Sequence, residues 1–292
     1  MPRIAYFILA HAHPEQLTRL VTQLNCPSVH FYIHIDANTP DAVFTAIQAQ
    51  VQTSRNNITF IERQPCRWGG FSLVDASLRL IQRAMQDGFD FGVLLSGQDY
   101  PIHSNEYINN FLSSTDSLGF IDIKSASDFD VAYRYRAWHF EVLNGKTSGK
   151  ILQKIQRFTR LIGLQRQLPA PLQQIHAGSQ WWILSQTACQ AVLDLCEQEP
   201  QLIDFFKHTL VPDEMFFQTL LMHTALAPQL TNNAMRYLEW EEGAWSPRTF
   251  KPEEISQLAE KPDLFARKFA PDLASSQALA LLHSEQKTKN KL

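Results

Sequence analysis

The sequence predicts an α/β fold with a mostly parallel sheet flanked by helices, and three observations carry that prediction. Strand-like segments at Ile4–Leu9, at Val29–Ile35, which alternates, and at Ile58–Ile61 are interleaved with helically spaced segments at Glu15–Leu24 and Ala42–Val51. That rhythm belongs to right-handed crossover connections between parallel strands. The run Phe91-Gly92-Val93-Leu94-Leu95 has no polar interruption, which suits a strand buried on both faces, although a buried helix segment has the same pattern. Its continuation, Ser96-Gly97-Gln98-Asp99-Tyr100-Pro101, ends in a proline that cannot donate a ladder hydrogen bond. Gln98, Asp99 and Tyr100 therefore fall at a carboxyl edge, where open α/β sheets place their ligands. Asp99 is there either a turn former or a ligand contact.

Bulk properties narrow the function classes. The chain has 292 residues, 45% hydrophobic and 19% charged, with a net charge of −3. That composition is ordinary for a soluble globular protein, and the charge gives no global field for nucleic acid. Met1-Pro2-Arg3-Ile4 runs straight into the first strand, and no apolar run is long enough to span a bilayer; the expectation is a cytoplasmic protein. Cys26, Cys66, Cys189 and Cys196 are too scattered for a disulfide scaffold and read as free thiols. One domain is expected over residues 1–275, then a C-terminal helix and polar tail over 276–292.

His11-Ala12-His13-Pro14, after the first strand, is neither G-x-G-x-x-G nor a lysine-bearing phosphate loop. Asp36, closing the second strand, is a ribose or base contact, or an Asx turn leading to Asn38. Arg67-Trp68-Gly69-Gly70-Phe71-Ser72 is a tight turn in which Ser72 is expected to cap a helix over Leu73–Met85. Trp68 stands out there, because an indole at a turn calls for a partner. Ser104 is expected to cap Asn105–Leu112, and Phe120–Ile123 to form another strand. Asp128-Phe129-Asp130 has the D-x-D form of a metal site but follows a polar loop, so a solvated acidic turn is preferred.

Lys146–Gln167 carries Lys146, Lys150, Lys154, Arg157, Arg160 and Arg166 beside a stripe of Ile151, Ile155, Phe158 and Ile162. This is a basic amphipathic helix, expected to dock apolar side in; contact with a membrane surface or an anionic acceptor is the alternative. In Trp181-Trp182, on a strand, one indole faces a cleft at most. A helix follows over Ala188–Cys196. Pro212, Asp213 and Glu214 fit the first turn of a helix, where the macrodipole favours acids. Gln277–Leu282 reads as a short helix and Ser284–Leu292 as a polar tail. The six tryptophans fall in or beside turns, which tilts the reading towards carbohydrate binding.

Five motifs then occur in order: Arg67-Trp68-Gly69-Gly70-Phe71-Ser72-Leu73, Leu95-Ser96-Gly97-Gln98-Asp99-Tyr100-Pro101-Ile102, Gly178-Ser179-Gln180-Trp181, Pro212-Asp213-Glu214-x-Phe216-Phe217 and Leu264-Phe265-Ala266-Arg267-Lys268-Phe269. Together they resemble the core-2/I-branching β-1,6-N-acetylglucosaminyltransferase and peptide O-xylosyltransferase family over roughly residues 4–270. The resemblance implies a GT-A type fold with a Rossmann-like sheet, and inverting, metal-independent transfer from a UDP-sugar, with no cofactor. Glu214 matches the family's catalytic glutamate, the general base on the acceptor hydroxyl. Arg248 and Lys268 match the cations that stabilise the departing UDP in place of a metal. Asp36 matches a uridine-binding acid, Trp68 and Asp99 lie in motifs assigned to the donor, and Trp181, Gln180 and Tyr100 to the acceptor.

Xylosyltransferases of that family carry an acid where Gln180 stands, and an amide cannot act as a base. Ser246-Pro247 and Phe265–Phe269 nevertheless lean towards that branch. The expected enzyme is a bacterial-type, cytoplasmic member acting on a glycan, lipid-linked or peptide acceptor. Peripheral contact with the inner membrane face through residues 146–166 is left open, and no nucleic acid is expected. The competing class is a carbohydrate-binding protein of the same fold without turnover.

Overall fold

A computed structural model of the chain describes residues 1–52, 57–125, 131–161, 163–244 and 246–289, with the side chains of 157, 159–161 and 285–289 left out. The chain begins with β1 (Ile4–Ala10), α1 (Pro14–Leu24), β2 (Val29–Ile35), α2 (Asp41–Gln52), β3 (Ile58–Phe60), α3 (Ser72–Met85), β4 (Phe91–Ser96), β5 (Asp99–Pro101) and α4 (Asn105–Ser114). The middle carries β6 (Gly119–Ile121), β7 (Lys124–Ser125), α5 (Ala132–Tyr135), α6 (Thr147–Leu161), β8 (His176–Ala177), β9 (Trp182–Ser185), α7 (Gln186–Gln198), α8 (Pro200–Lys207) and α9 (Phe216–Met222). It ends with β10 (Leu230–Asn232), β11 (Arg236–Leu238), β12 (Phe265–Arg267) and α10 (Leu273–Lys289). The fold is mixed α/β. Contacts divide it into two units, Met1–Arg63 with Asp87–Asp116 and Met235–Leu292, and Gln64–Gln86 with Ser117–Ala234.

The first unit holds four parallel strands in the order β4-β1-β2-β3. Ile4, Ala5, Tyr6, Phe7 and Ile8 are all buried, so β1 is covered on both faces, as its unbroken apolar run requires. Helix α1 supplies Leu17, Leu20, Val21 and Leu24 to the same core, and α2 supplies Ile47 and Val51. The stretch after Phe91 differs from expectation. Strand β4 stops at Ser96, and β5 joins a separate sheet of order β11-β12-β5, antiparallel to β12. The break has a local cause: the Asp99 carboxylate accepts from the Ser96 N–H and folds the chain back on itself. The C-terminus also departs from the sequence reading. The expected short helix and polar tail are joined in α10, because Leu279, Leu282 and His283 bury one side of it and Asp272 Oδ1 accepts from Ser275 N at 2.7 Å at its start.

In the second unit β6 runs parallel to β10 and antiparallel to β9. Trp182 is fully enclosed, its ring 5.0 Å from that of Phe217. Ser185 caps α7 through Ala188 N at 3.2 Å, and Ser104 caps α4 of the first unit as expected. Ser72 does not cap α3. Its hydroxyl accepts from Arg67 N at 2.9 Å and donates to Glu141, while the Glu141 carboxylate accepts the Ser72 N–H at 3.1 Å. A distant acid has taken over the capping role, where the helix dipole favours it. Gly70 leaves the room: a Cβ there would meet Glu141 Cδ at 2.1 Å.

The basic helix is shorter than the sequence suggests and turned the other way. It ends at Leu161, and Arg166 is buried beyond it, donating to Ala137 O at 3.2 Å with its guanidinium 4.2 Å from the Phe205 ring. Burial pushes that guanidinium down to about 10. Ile151, Ile155 and Phe158 are 55%, 56% and 67% exposed, so the expected apolar-side-in docking does not occur. Ile162 and the D-x-D pair Asp128 and Asp130 lie outside the described residues.

Gly92 tests the packing of β4. A Cβ at that position would meet Phe7 Cε2 at 2.4 Å, in a core where Phe7 has no exposure. Gly92→Ala should lower the free energy of unfolding in urea by about 1–3 kcal/mol through overpacking.

Candidate functional site

The second unit gathers three of the motifs around Glu214. Pro212–Glu214 forms a 3-10 turn of its own, and α9 begins only at Phe216; the acids precede that helix, where the sequence reading put them in its first turn. Val211 enters the turn at φ 52°, left-handed backbone that is costly for a β-branched residue. Val211 N donates to Gly69 O at 3.0 Å, tying the turn to the Trp68 loop. Glu214 O accepts from Gly178 N at 2.9 Å, tying it to the Gly178-Ser179-Gln180-Trp181 loop. Only glycine fits there, since a Cβ on Gly178 would lie 1.8 Å from Asp122 O. Gln218, fully buried on α9, donates to Ser179 O at 2.6 Å and holds the same loop.

Arg134 is the residue that sequence reasoning missed. Its Nη1 donates to Glu214 Oε2 at 2.7 Å, with the Glu214 side chain one-third exposed. The partners stand 80 positions apart, and nothing in Tyr133-Arg134-Tyr135 marks the pairing. Asp213 is enclosed, and its Oδ1 has no hydrogen-bond partner. Burial, and then the charge of Glu214, push its carboxyl up to about 7. A neutral acid fits an enclosed oxygen of that kind. Neighbouring carboxyls thus occupy two environments, one enclosed and one at the surface with a cation.

Of the other predicted residues here, Trp68 is 67% exposed, Gln180 half-buried and Trp181 buried. Trp181 and Trp182 are both enclosed, so the alternation expected of the strand leaves neither indole on an open face. A cleft of about 470 Å³ in this unit is lined by Gln64, Pro65, Phe71, Ser72, Asp75, Leu78, Glu141, Ile203 and Lys207. None of the predicted site residues lines it, so the chemistry is assigned from the side chains and not from that hollow.

The first unit places its candidates along the carboxyl ends of β2, β1 and β4. Asp36 N donates to Ala10 O at 3.0 Å and Gly97 N to Leu9 O at 3.2 Å. Asp36 Oδ1 accepts from Asn38 N at 2.8 Å, so the Asx turn is present. Asp99 is fully buried as a side chain, with Oδ1 3.9 Å from Arg236 Nη1 and from Arg267 Nη1. Tyr100 is buried against Phe269 and His283, and burial raises its phenol to about 12.

The segment after Arg248 is joined to that of Lys268 by the backbone: Phe250 N donates to Lys268 O at 2.9 Å. Arg248 also makes 2.7 Å bonds to Glu239 and Glu254, which hold its guanidinium firmly protonated. Burial, and then Arg267, depress the Lys268 ammonium. Among the described residues there is no group of three or more His, Cys, Asp or Glu placed to hold a metal, and no helix is long and apolar enough to cross a membrane.

Comparison with known proteins assigns the chain to a family. The sequence profile of the Core-2/I-Branching enzyme family matches residues 4–260, and the chain belongs to that family. Xylosyltransferase 2 of Canis lupus familiaris is 29% identical over 91% of this chain and 32% of its own length. Xylosyltransferase of Ciona intestinalis is 26% identical over the same shares. The chain thus spans about a third of the length of the curated relatives it matches. The apo-form glycosyltransferase GlyE of Streptococcus pneumoniae aligns with 99% of this chain and 64% of its own at 12% identity, with a TM-score of 0.35, too low to argue from.

Asp213 makes stability depend on pH. The fold favours its protonated form, so the contribution is complete below 3.8 and is lost as pH rises through about 7. Urea unfolding at a series of pH values should show wild type losing up to about 4 kcal/mol more than Asp213→Asn across that window. Parallel curves for the two proteins would contradict it.

Proposed function

We propose that the protein transfers a sugar, GlcNAc or xylose, from a UDP-sugar to a hydroxyl of a glycan, lipid-linked or peptide acceptor, with inversion and without a metal. The observation that carries the reading is the Glu214–Arg134 pair. The ion pair occupies one carboxylate oxygen and orients the other, which makes no hydrogen bond among the described residues, so that it can take a proton from an attacking hydroxyl. Family membership supports the donor class, and the two xylosyltransferase relatives support one of the two sugars.

In this reaction the acceptor oxygen attacks the anomeric carbon as the bond to UDP breaks. Glu214 takes the hydroxyl proton, and the electron pair leaves with the diphosphate. Lys268 and Arg248 are assigned to that charge. Asp36 is assigned to the uridine and Trp68 to the donor. Asp99 has no exposed carboxylate and acts from beneath, fixing the Ser96–Asp99 turn against Arg267. Gln180 is the acceptor contact with surface to offer, whereas Trp181 and Tyr100 support the loops they belong to.

Glu214→Gln should retain UDP binding, read as a thermal shift, and lose about 10²–10⁴-fold in transfer. Near-normal turnover would remove Glu214 from the role; UDP binding without transfer or donor hydrolysis in wild type would favour a carbohydrate-binding protein of this fold. EDTA should leave the rate of the wild-type enzyme nearly unchanged, and a strict manganese requirement would refute transfer without a metal.

A further inference from the structure

Helix α6 docks by its polar side. Gly149 is buried, and a Cβ there would lie 2.4 Å from Leu143 O. Gln156, seven residues on, accepts from Trp138 N and donates to Trp138 O at 2.8 Å. Leu152, between them, is half-buried. These positions make one stripe of the helix, and a separate stripe of Ile151, Ile155 and Phe158 at i, i+4 and i+7 is more than half exposed. Lys146, Lys150 and Lys154 are exposed as well, and Thr147–Leu161 contains no acidic residue.

We propose that this face lies on an anionic lipid bilayer, with Ile151, Ile155 and Phe158 entering the headgroup–acyl boundary and the lysines meeting lipid phosphates. Charge complementarity selects the occupant. On a chain of net charge −3 the cations are concentrated beside the one apolar stripe of this helix, the combination that binds interfacial helices to anionic membranes. A second copy meeting through the same face would bring lysine against lysine. The proposal concerns attachment alone and stands or falls independently of the transfer reaction.

The test is flotation of the whole chain with phosphatidylcholine vesicles, with and without phosphatidylglycerol. Wild type should float with the anionic vesicles and detach as salt rises. Ile151→Asn/Ile155→Asn/Phe158→Asn and Lys150→Glu/Lys154→Glu should each lower binding on the order of tenfold, with thermal unfolding and the UDP-induced shift unchanged. Should the triple variant fail to fold, Phe158→Asn alone reads the same contact. No flotation, equal flotation with neutral vesicles, or binding indifferent to both variants would overturn the proposal. So would sedimentation showing that the stripe holds two copies together without lipid.

Discussion

Enclosing a carboxylate without partners costs several kcal/mol, and the first unit is arranged to meet that demand at Asp99. The Ser96 N–H at the end of β4 donates to its Oδ2, and Arg236 from β11 and Arg267 from β12 each bring a positive charge to 3.9 Å of its Oδ1, which makes no hydrogen bond. Arg236 is itself fully enclosed and donates to Leu94 O at 2.9 Å, so the second sheet is joined to the first through one charged cluster. The consequence for the site is geometric. Lys268 follows Arg267 directly, and Phe269 N donates to Gln98 O at 3.1 Å. The turn after β4 and the end of β12, which Lys268 follows, are thus set against one another by the same charged cluster.

The second unit uses acids differently. Asp213 and Glu214 are consecutive, yet one faces the interior and the other meets Arg134 at the surface. The left-handed Val211 and the 3-10 turn produce that divergence, because they rotate successive side chains where a regular helix would put both on its outer first turn. On the proposed reading Glu214 is a base that must be reachable while its neighbour does not compete for the same proton, and separating the environments of two adjacent carboxyls serves that role.

What the sequence made legible was local. Strands β1 and β4 were visible as unbroken apolar runs, β2 as an alternating segment, and Ser104 as a cap, because each depends on neighbours a few residues away. The motif order also brought Glu214, Trp68 and Gly178 into one account, and the second unit joins their loops. Long-range pairings stayed hidden. Ser72 looks like a cap until Glu141, 69 residues on, takes the helix terminus. Arg166 looks like part of a basic stripe until Ala137 and Phe205 enclose it. Helix α6 misled for a related reason: its amphipathic period was real, but period alone does not say which stripe meets the protein. Gly149, which permits the close approach to Leu143, was the available signal.

The two cations assigned to the departing diphosphate are not equivalent. Arg248 already has two carboxylates on its guanidinium, so an arriving phosphate gains little net field from it and must share its donors with Glu239 and Glu254. What the acids provide is orientation, a planar donor group held in one place before substrate arrives. Lys268 is in the opposite situation. It is partly desolvated and next to Arg267, so its charge is under-compensated, and a dianion would relieve both penalties at once. On the proposed reading, Lys268 therefore supplies more of the electrostatic stabilisation of the leaving group, and Arg248 more of its alignment. A metal ion would deliver both from a single centre; in the proposed reaction they are divided between a crowded lysine and a pinned arginine.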